Sequence, residues 1–260
     1  MVDDILANHN VTEVAAWYRR LSVKVGKREL NGNIPLASRF LQAYLDNRNP
    51  NALLRFVAPS YLTNHTRVKA AQIYHRQVFL TEEKARIGKA RKWVGIIPRL
   101  QDGRWKGIGK LSMTYQSLIE IGGTIAEITQ IQLRGSEQER DLFTSLRGFQ
   151  LHSKVTLMGT KKGDLVAVKF GLWQCNALDR YDWNYDEHLT VPNPDYKSVA
   201  KSAIRPDLQK IRVYHKNAKR MEEAKLAAPY NLEVGPWHVI DSSVTGSATV
   251  DAGKEHTPHR

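Results

Sequence analysis

Val155-Thr156-Leu157-Met158, then Lys161-Lys162-Gly163-Asp164, then Leu165-Val166-Ala167-Val168-Lys169-Phe170 is the stretch on which the fold turns. Two apolar, β-branched runs on either side of a Lys-Gly-Asp turn predict a β-hairpin. The return strand leads into Asp179-Arg180-Tyr181-Asp182-Trp183-Asn184, with His188 six residues after Asp182. Upstream, Gly148-Phe149-Gln150-Leu151 opens the same β region, and a last strand is expected over Tyr230 to Ile240.

The text before the hairpin has a different period. Val11, Val14, Ala15, Tyr18 and Leu21 share one helical face, and Leu36, Ala37, Phe40, Leu41, Tyr44 and Leu45 repeat the pattern. A third helix is expected from about Arg67 to Trp93, so residues 10 to 110 read as helical. Between Leu111 and Leu133 the signals conflict: Ile125, Ile128 and Ile131 keep helical spacing while the Ile and Thr content favours a strand. After the acid cluster, Pro192, Pro194 and Asp195 make a rigid loop, and Lys197 to Lys201 open a short helix. A further helix is expected from Gln209 to Leu226, ended by Ala227-Ala228-Pro229. Beyond Asp241 the Ser, Thr, Gly and Ala content reads as a disordered tail.

The fold class is therefore α+β: a helical N-terminal region over 1–110, a β-rich domain over 111–240, and a tail over 241–260. Of 260 residues 42% are hydrophobic, which suffices for a packed core. A single cysteine, Cys175, excludes an internal disulfide framework and a multi-cysteine zinc knuckle. No run approaches the roughly eighteen apolar residues of a membrane span, and Met1-Val2-Asp3-Asp4-Ile5 is acidic where a signal peptide is basic. The expectation is a chain made in the cytoplasm without a signal peptide.

Lys plus Arg exceeds Asp plus Glu by 39 to 26, a formal charge of +13. That balance favours an anionic partner: nucleic acid, a phospholipid surface or a pyrophosphate substrate. Residues 67 to 110 hold twelve Lys or Arg against Glu82, Glu83 and Asp102. This is either a solvated helix face or a docking surface for an anion or a secretion partner.

A carboxylate and an imidazole close together are equipment for moving protons and holding a divalent metal near neutral pH. On a straight strand residues three apart point to opposite faces, and six residues span roughly 20 Å at about 3.3 Å each. A working site over Asp179, Asp182 and His188 therefore requires a bend. A bulge near Tyr181 would put both acids on one side, and a turn at Asn184 to Glu187 would bring His188 back to face Asp182. The same residues also read as a strand edge with an Asx turn and a surface histidine. No His-Glu-Xaa-Xaa-His, Gly-rich phosphate loop or Gly-Xaa-Ser-Xaa-Gly elbow is present to support a zinc protease, kinase or serine hydrolase.

Asp179-Arg180-Tyr181-Asp182, five residues, then His188 resembles the signature of the colicin M type bacteriocins: Asp, any residue, Tyr or Phe, Asp, five residues, His, Arg. The resemblance covers about Asp141 to Ile240 and includes the hairpin, Tyr230-Asn231-Leu232 and Trp237-His238-Val239. It implies a curved, half-barrel-like antiparallel sheet and an antibacterial toxin that hydrolyses lipid II between undecaprenol and pyrophosphate. It further implies Asp182 as the central catalytic acid, as metal ligand or nucleophile, His188 as the proton-transfer group, Asp179 and Tyr181 as orienting residues, and magnesium as the divalent ion that Asp179 and Asp182 could hold.

Lipid II at the membrane surface, a cognate immunity protein and a secretion-apparatus component of the type VI kind are the partners implied, with action in the periplasm of target bacteria. Where the signature has Arg after His, this chain has Leu189; Arg180, Lys197, Arg212 or Arg220 are candidates to supply the missing cation to the pyrophosphate. A magnesium-dependent nuclease-type toxin and a non-enzymatic basic nucleic-acid-binding module are the alternatives, although the motif favours lipid II over nucleic acid.

Overall fold

The structure is a computed structural model that describes residues 4–25, 35–92, 100–101, 104–105, 112–121, 136–146, 148–162, 165–183, 188–195 and 210–251. In chain order its elements are α1 (Val11–Val25), α2 (Pro35–Asp46), β1 (Leu53–Phe56), α3 (Ser60–Thr63), α4 (Thr66–Lys92), β2 (Leu100–Gln101), β3 (Arg104–Trp105), β4 (Ser112–Ile121) and α5 (Glu137–Leu146). There follow β5 (Phe149–Lys162), β6 (Leu165–Tyr181), β7 (His188–Pro192), β8 (Lys210–Tyr214), α6 (His215–Glu223), β9 (Tyr230–His238), α7 (Ser242–Thr245) and β10 (Ala248–Asp251). The fold is α+β, with an open sheet that does not close into a barrel. Its strand order is β1-β9-β6-β5-β4, and β10 pairs with β6.

The chain forms two compact units, the first comprising Met1–Phe56, Gly122–Phe149 and Leu178–Glu233. In it α1 and α2 pack together through the predicted stripe: Val14, Tyr18 and Leu21 from one helix, and Leu36, Phe40, Leu41, Tyr44 and Leu45 from the other, are buried. Asn10 and Glu13 form a reciprocal cap at the start of α1, Glu13 N donating to Asn10 Oδ1 at 2.9 Å and Asn10 N to Glu13 Oε2 at 3.0 Å. The start of α2 borrows its cap from α5, where the buried carboxylate of Asp141 accepts from Leu36 N and Ala37 N at 3.0 Å each. Pro35 suits this entry because the first helical residue needs no N–H.

The second unit comprises Val57–Ile121, Gln150–Ala177 and Val234–Arg260. One face of α4, with Val68, Ala71, Gln72, His75, Phe79 and Glu83, is buried in it, and α4 packs on β4. The interior holds a polar chain as well: His75 Nδ1 and Ser153 Oγ lie 2.7 Å apart, and Ser153 Oγ and Cys175 Sγ 3.2 Å apart. Burial pushes the Cys175 thiol up. Such a thiol is a core group, not a nucleophile.

The predicted hairpin is present as β5 and β6, and the third helix as α4. Other expectations are corrected. The N-terminal part is not wholly helical, because Leu53–Phe56 joins the sheet and Leu100–Gln101 pairs antiparallel with Arg104–Trp105. The ambiguous segment after Leu111 contains strand β4, whereas 122–133 lies outside the described residues. The helix expected over Gln209 to Leu226 is a strand followed by a shorter helix, since Ile211 and Val213 are buried and Arg212 is exposed, a period of two.

The tail is structured as far as Asp251: Asp241 caps α7, Val244 is buried, and β10 pairs Ala248–Asp251 with Val168–Leu165. The rest of the expected tail, 252–260, lies outside the described residues, as does the helix expected at Lys197 to Lys201. The last strand ends at His238, two residues short of Ile240.

Candidate active site

Strand β6 ends at Tyr181, which frees Asp182 from the alternation that holds residues three apart on opposite faces. The two acids sense each other there. Asp179 is half-buried, and its carboxyl is pushed up to about 7. Burial is the main cause; the charge of Asp182 adds to it, and a hydrogen bond from Arg180 N to Asp179 Oδ1, at 2.7 Å, works in the opposite direction.

Arg180 is shared among three groups. Its Nε lies 3.7 Å from Asp182 Oδ2, and Nη1 donates to Asn231 Oδ1 at 3.2 Å and to Pro50 O at 3.4 Å. The guanidinium therefore ties the strand end to the start of β9 and to the loop before β1. With one backbone anchor and one side-chain anchor besides Asp182, it is better suited to fixing Asp182 than to reaching for a substrate.

Tyr181 sits in an aromatic cluster that the sequence did not connect to it. Its ring stacks on Tyr230, centroids 5.3 Å apart and planes 11° apart, and meets Tyr44 at 5.8 Å and Phe40 at 6.2 Å. Trp183 is buried beside it, edge-on to Tyr18 at 5.8 Å and to His215 at 4.8 Å. Burial raises the phenols of Tyr18, Tyr44, Tyr181 and Tyr230, so all four stay protonated at neutral pH. The Tyr44 hydroxyl donates to Glu222 Oε1 at 2.9 Å. Tyr18 and Tyr44 read in the sequence as core positions of their helices, and nothing in their spacing links them to Tyr181.

His188 is the first residue of β7, which pairs with β8. Its side chain and residues 184–187, where the fold-back toward Asp182 is expected, lie outside the described residues. The ladder register is informative nonetheless. His188 pairs with Tyr214 and Thr190 with Arg212, while Leu189 pairs with Val213 and Val191 with Ile211. Val213 and Ile211 are buried, and Leu189 is the residue paired with Val213. Arg212 is exposed and stands two residues from Tyr214, the partner of His188.

Of the other candidate cations, Arg220 is bound to the main chain, its Nη1 donating to Leu6 O and Asn217 Oδ1 at 3.2 Å each and its Nη2 to His9 O. Lys197 lies outside the described residues. Among the described candidate cations, Arg212 is the exposed one on the β7–β8 ladder, paired with Thr190.

Compared with models of protein families, with curated proteins and with solved structures, the chain matches none. The chemistry of the site rests on its own residues. Among the described residues no group of three or more His, Cys, Asp or Glu is gathered for a metal. Magnesium nevertheless takes one or two carboxylates and completes its shell with water and substrate oxygens, and the hard oxygens of Asp179 and Asp182 fit that donor set.

Proposed function

We propose that the chain is an antibacterial toxin of the colicin M kind that hydrolyses lipid II between undecaprenol and pyrophosphate. The observation that carries this reading is Asp179-Arg180-Tyr181-Asp182, with His188 six positions on, at a strand end where the two acids interact and Arg180 joins one of them. Water adds across the bond, giving undecaprenol and the pyrophosphoryl disaccharide-peptide. A divalent cation held by Asp179 and Asp182 would supply charge neutralisation at the pyrophosphate.

The remaining roles belong to the chain. Arg180 fixes the Asp182 carboxylate, and Tyr181, held by Tyr230 and Tyr44, fixes the strand end that carries both acids. His188 takes the proton of the attacking water, and Arg212, on the neighbouring strand of the same ladder, pairs with substrate phosphate in place of the signature's arginine. Delivery through a secretion apparatus to the periplasm of a target cell, and an immunity protein in the producer, complete the reading.

Incubation of the purified protein with lipid II, RNA and DNA, with magnesium or chelator, tests it. Magnesium-dependent release of the pyrophosphoryl disaccharide-peptide, lost in Asp182→Ala and reduced at least tenfold in Arg212→Gln, is the expected result. Intact lipid II beside degraded nucleic acid overturns it.

A further inference from the structure

Four buried polar groups close a circuit inside the second unit. His75 Nδ1 of α4 lies 2.7 Å from Ser153 Oγ of β5, that oxygen lies 3.2 Å from Cys175 Sγ of β6, and Gln72 Nε2, back on α4, donates to the sulfur at 3.8 Å. Phe79 and Trp173 flank it with rings 5.4 Å apart, and the His75 ring lies 6.0 Å from Phe79. The other ring nitrogen, His75 Nε2, is buried with no hydrogen-bond partner among the described residues. In the neutral ring that nitrogen forgoes one hydrogen bond; in the imidazolium it is a charged N–H without an acceptor, which burial penalises far more.

We infer that His75 is an acid sensor built into this unit: on acidification the buried imidazole takes up a proton that the core cannot accommodate, and α4 comes away from the β5–β6 hairpin. The described groups around it supply no counter-ion. On α4 itself, Arg76 is turned to Val244 O and Gly246 O, Lys69 to Asp241 of the α7 cap, and buried Glu83 is eight residues on, about 12 Å along the helix. β5 brings His152, whose positive charge opposes another beside it, and β6 brings the Cys175 thiol, which burial keeps protonated. α3 carries Tyr61, and the described side chains of β4, Ile119 and Ile121, do not titrate.

Burial, with the His152 charge adding to it, holds the folded ring at about 4 against an ordinary 6.5. The unfolded chain therefore binds this proton first, and the fold is weakened progressively as pH falls from 6.5 to 4. The single cysteine reports the opening, because Cys175 is buried in the same circuit. The full chain is labelled with 4,4′-dithiodipyridine, a disulfide that exchanges with thiols at acid as well as neutral pH, and the rate is divided by that of free cysteine at the same pH. Between pH 7.5 and pH 5 this ratio should rise roughly thirtyfold, the factor that a ring pKa of about 4 folded and 6.5 unfolded gives.

His75→Asn, uncharged at every pH and still able to bond Ser153, should lose the rise, whereas His152→Gln should keep most of it. The inference is independent of the hydrolytic reading, because labelling is measured without turnover. A ratio that does not change in the parent, a rise that persists in His75→Asn, or a rise lost only in His152→Gln would each overturn the proposal. Proton NMR of the parent decides without any variant: the His75 ring should stay neutral down to about pH 5, and a ring that titrates near 6.5 would overturn the proposal as well.

Discussion

Asp179 shows at the scale of one residue how a site works against the stability of its fold. Its carboxyl is pushed up from 3.8 to about 7, chiefly by burial, so the folded chain holds this proton more tightly than the unfolded chain does. Stability from this group is therefore greatest below pH 4 and is lost as pH rises through 7. Asp179→Asn removes the titration, leaving a neutral isostere that still accepts from Arg180 N. The variant should be more stable than the parent at pH 8, by about 2 kcal/mol, and equal to it near pH 4. Urea midpoints at the two pH values measure the difference; equal offsets at both would show that burial of the charge is not the cause. A carboxylate kept where it weakens the fold is what a functional residue looks like.

At the scale of the element, the end of α6 illustrates a local conflict between residue and backbone. Leu226 N donates to Met221 O at 2.9 Å and Lys225 N to Glu222 O at 3.0 Å, a closing turn that holds Lys225 in the left-handed region at φ 57°. Glycine is the usual residue there, because a Cβ costs roughly 1 kcal/mol in that conformation. Lys225→Gly should accordingly stabilise the protein by about 0.5–1 kcal/mol, seen as a rise of roughly 1–4 °C in the thermal midpoint.

The elements most legible in the sequence are those whose period is uniform. Helices α1 and α2 stand where Val14, Tyr18, Leu21, Phe40 and Leu41 predict a buried stripe, and the hairpin stands where the Lys-Gly-Asp turn predicts it. The segment around Lys210–Tyr214 was legible only in part, because two β-branched residues spaced by one arginine merge into the helical run that follows. The pairing of Leu189 with Val213 of β8 is not legible locally, because no local pattern announces a partner that distant in sequence.

At the scale of the whole molecule, each of the two compact units draws on three separate stretches of sequence. Such an arrangement hides the worth of the C-terminal segment, whose Ser, Thr, Gly and Ala look expendable. In the folded chain Asp241 Oδ1 accepts from Ser243 N at 3.0 Å, and Val244 is buried. Arg76 of α4 donates to Val244 O at 2.8 Å and to Gly246 O at 3.0 Å. β10 then covers one side of β6 through four paired residues.

Removing residues 241–260 would strip those acceptors from Arg76, expose the apolar surface against which Val244 packs, and leave the Leu165–Val168 stretch of β6 without its β10 partner. Burial of one valine is worth about 1.5–3 kcal/mol, and the lost hydrogen bonds add about 1 kcal/mol each. A chain truncated after Ile240 should thus melt roughly 5–10 °C below the full chain. The variant Val244→Ala alone should account for part of that fall. An unchanged melting temperature on truncation would mean that the segment contributes nothing to the unit it packs against.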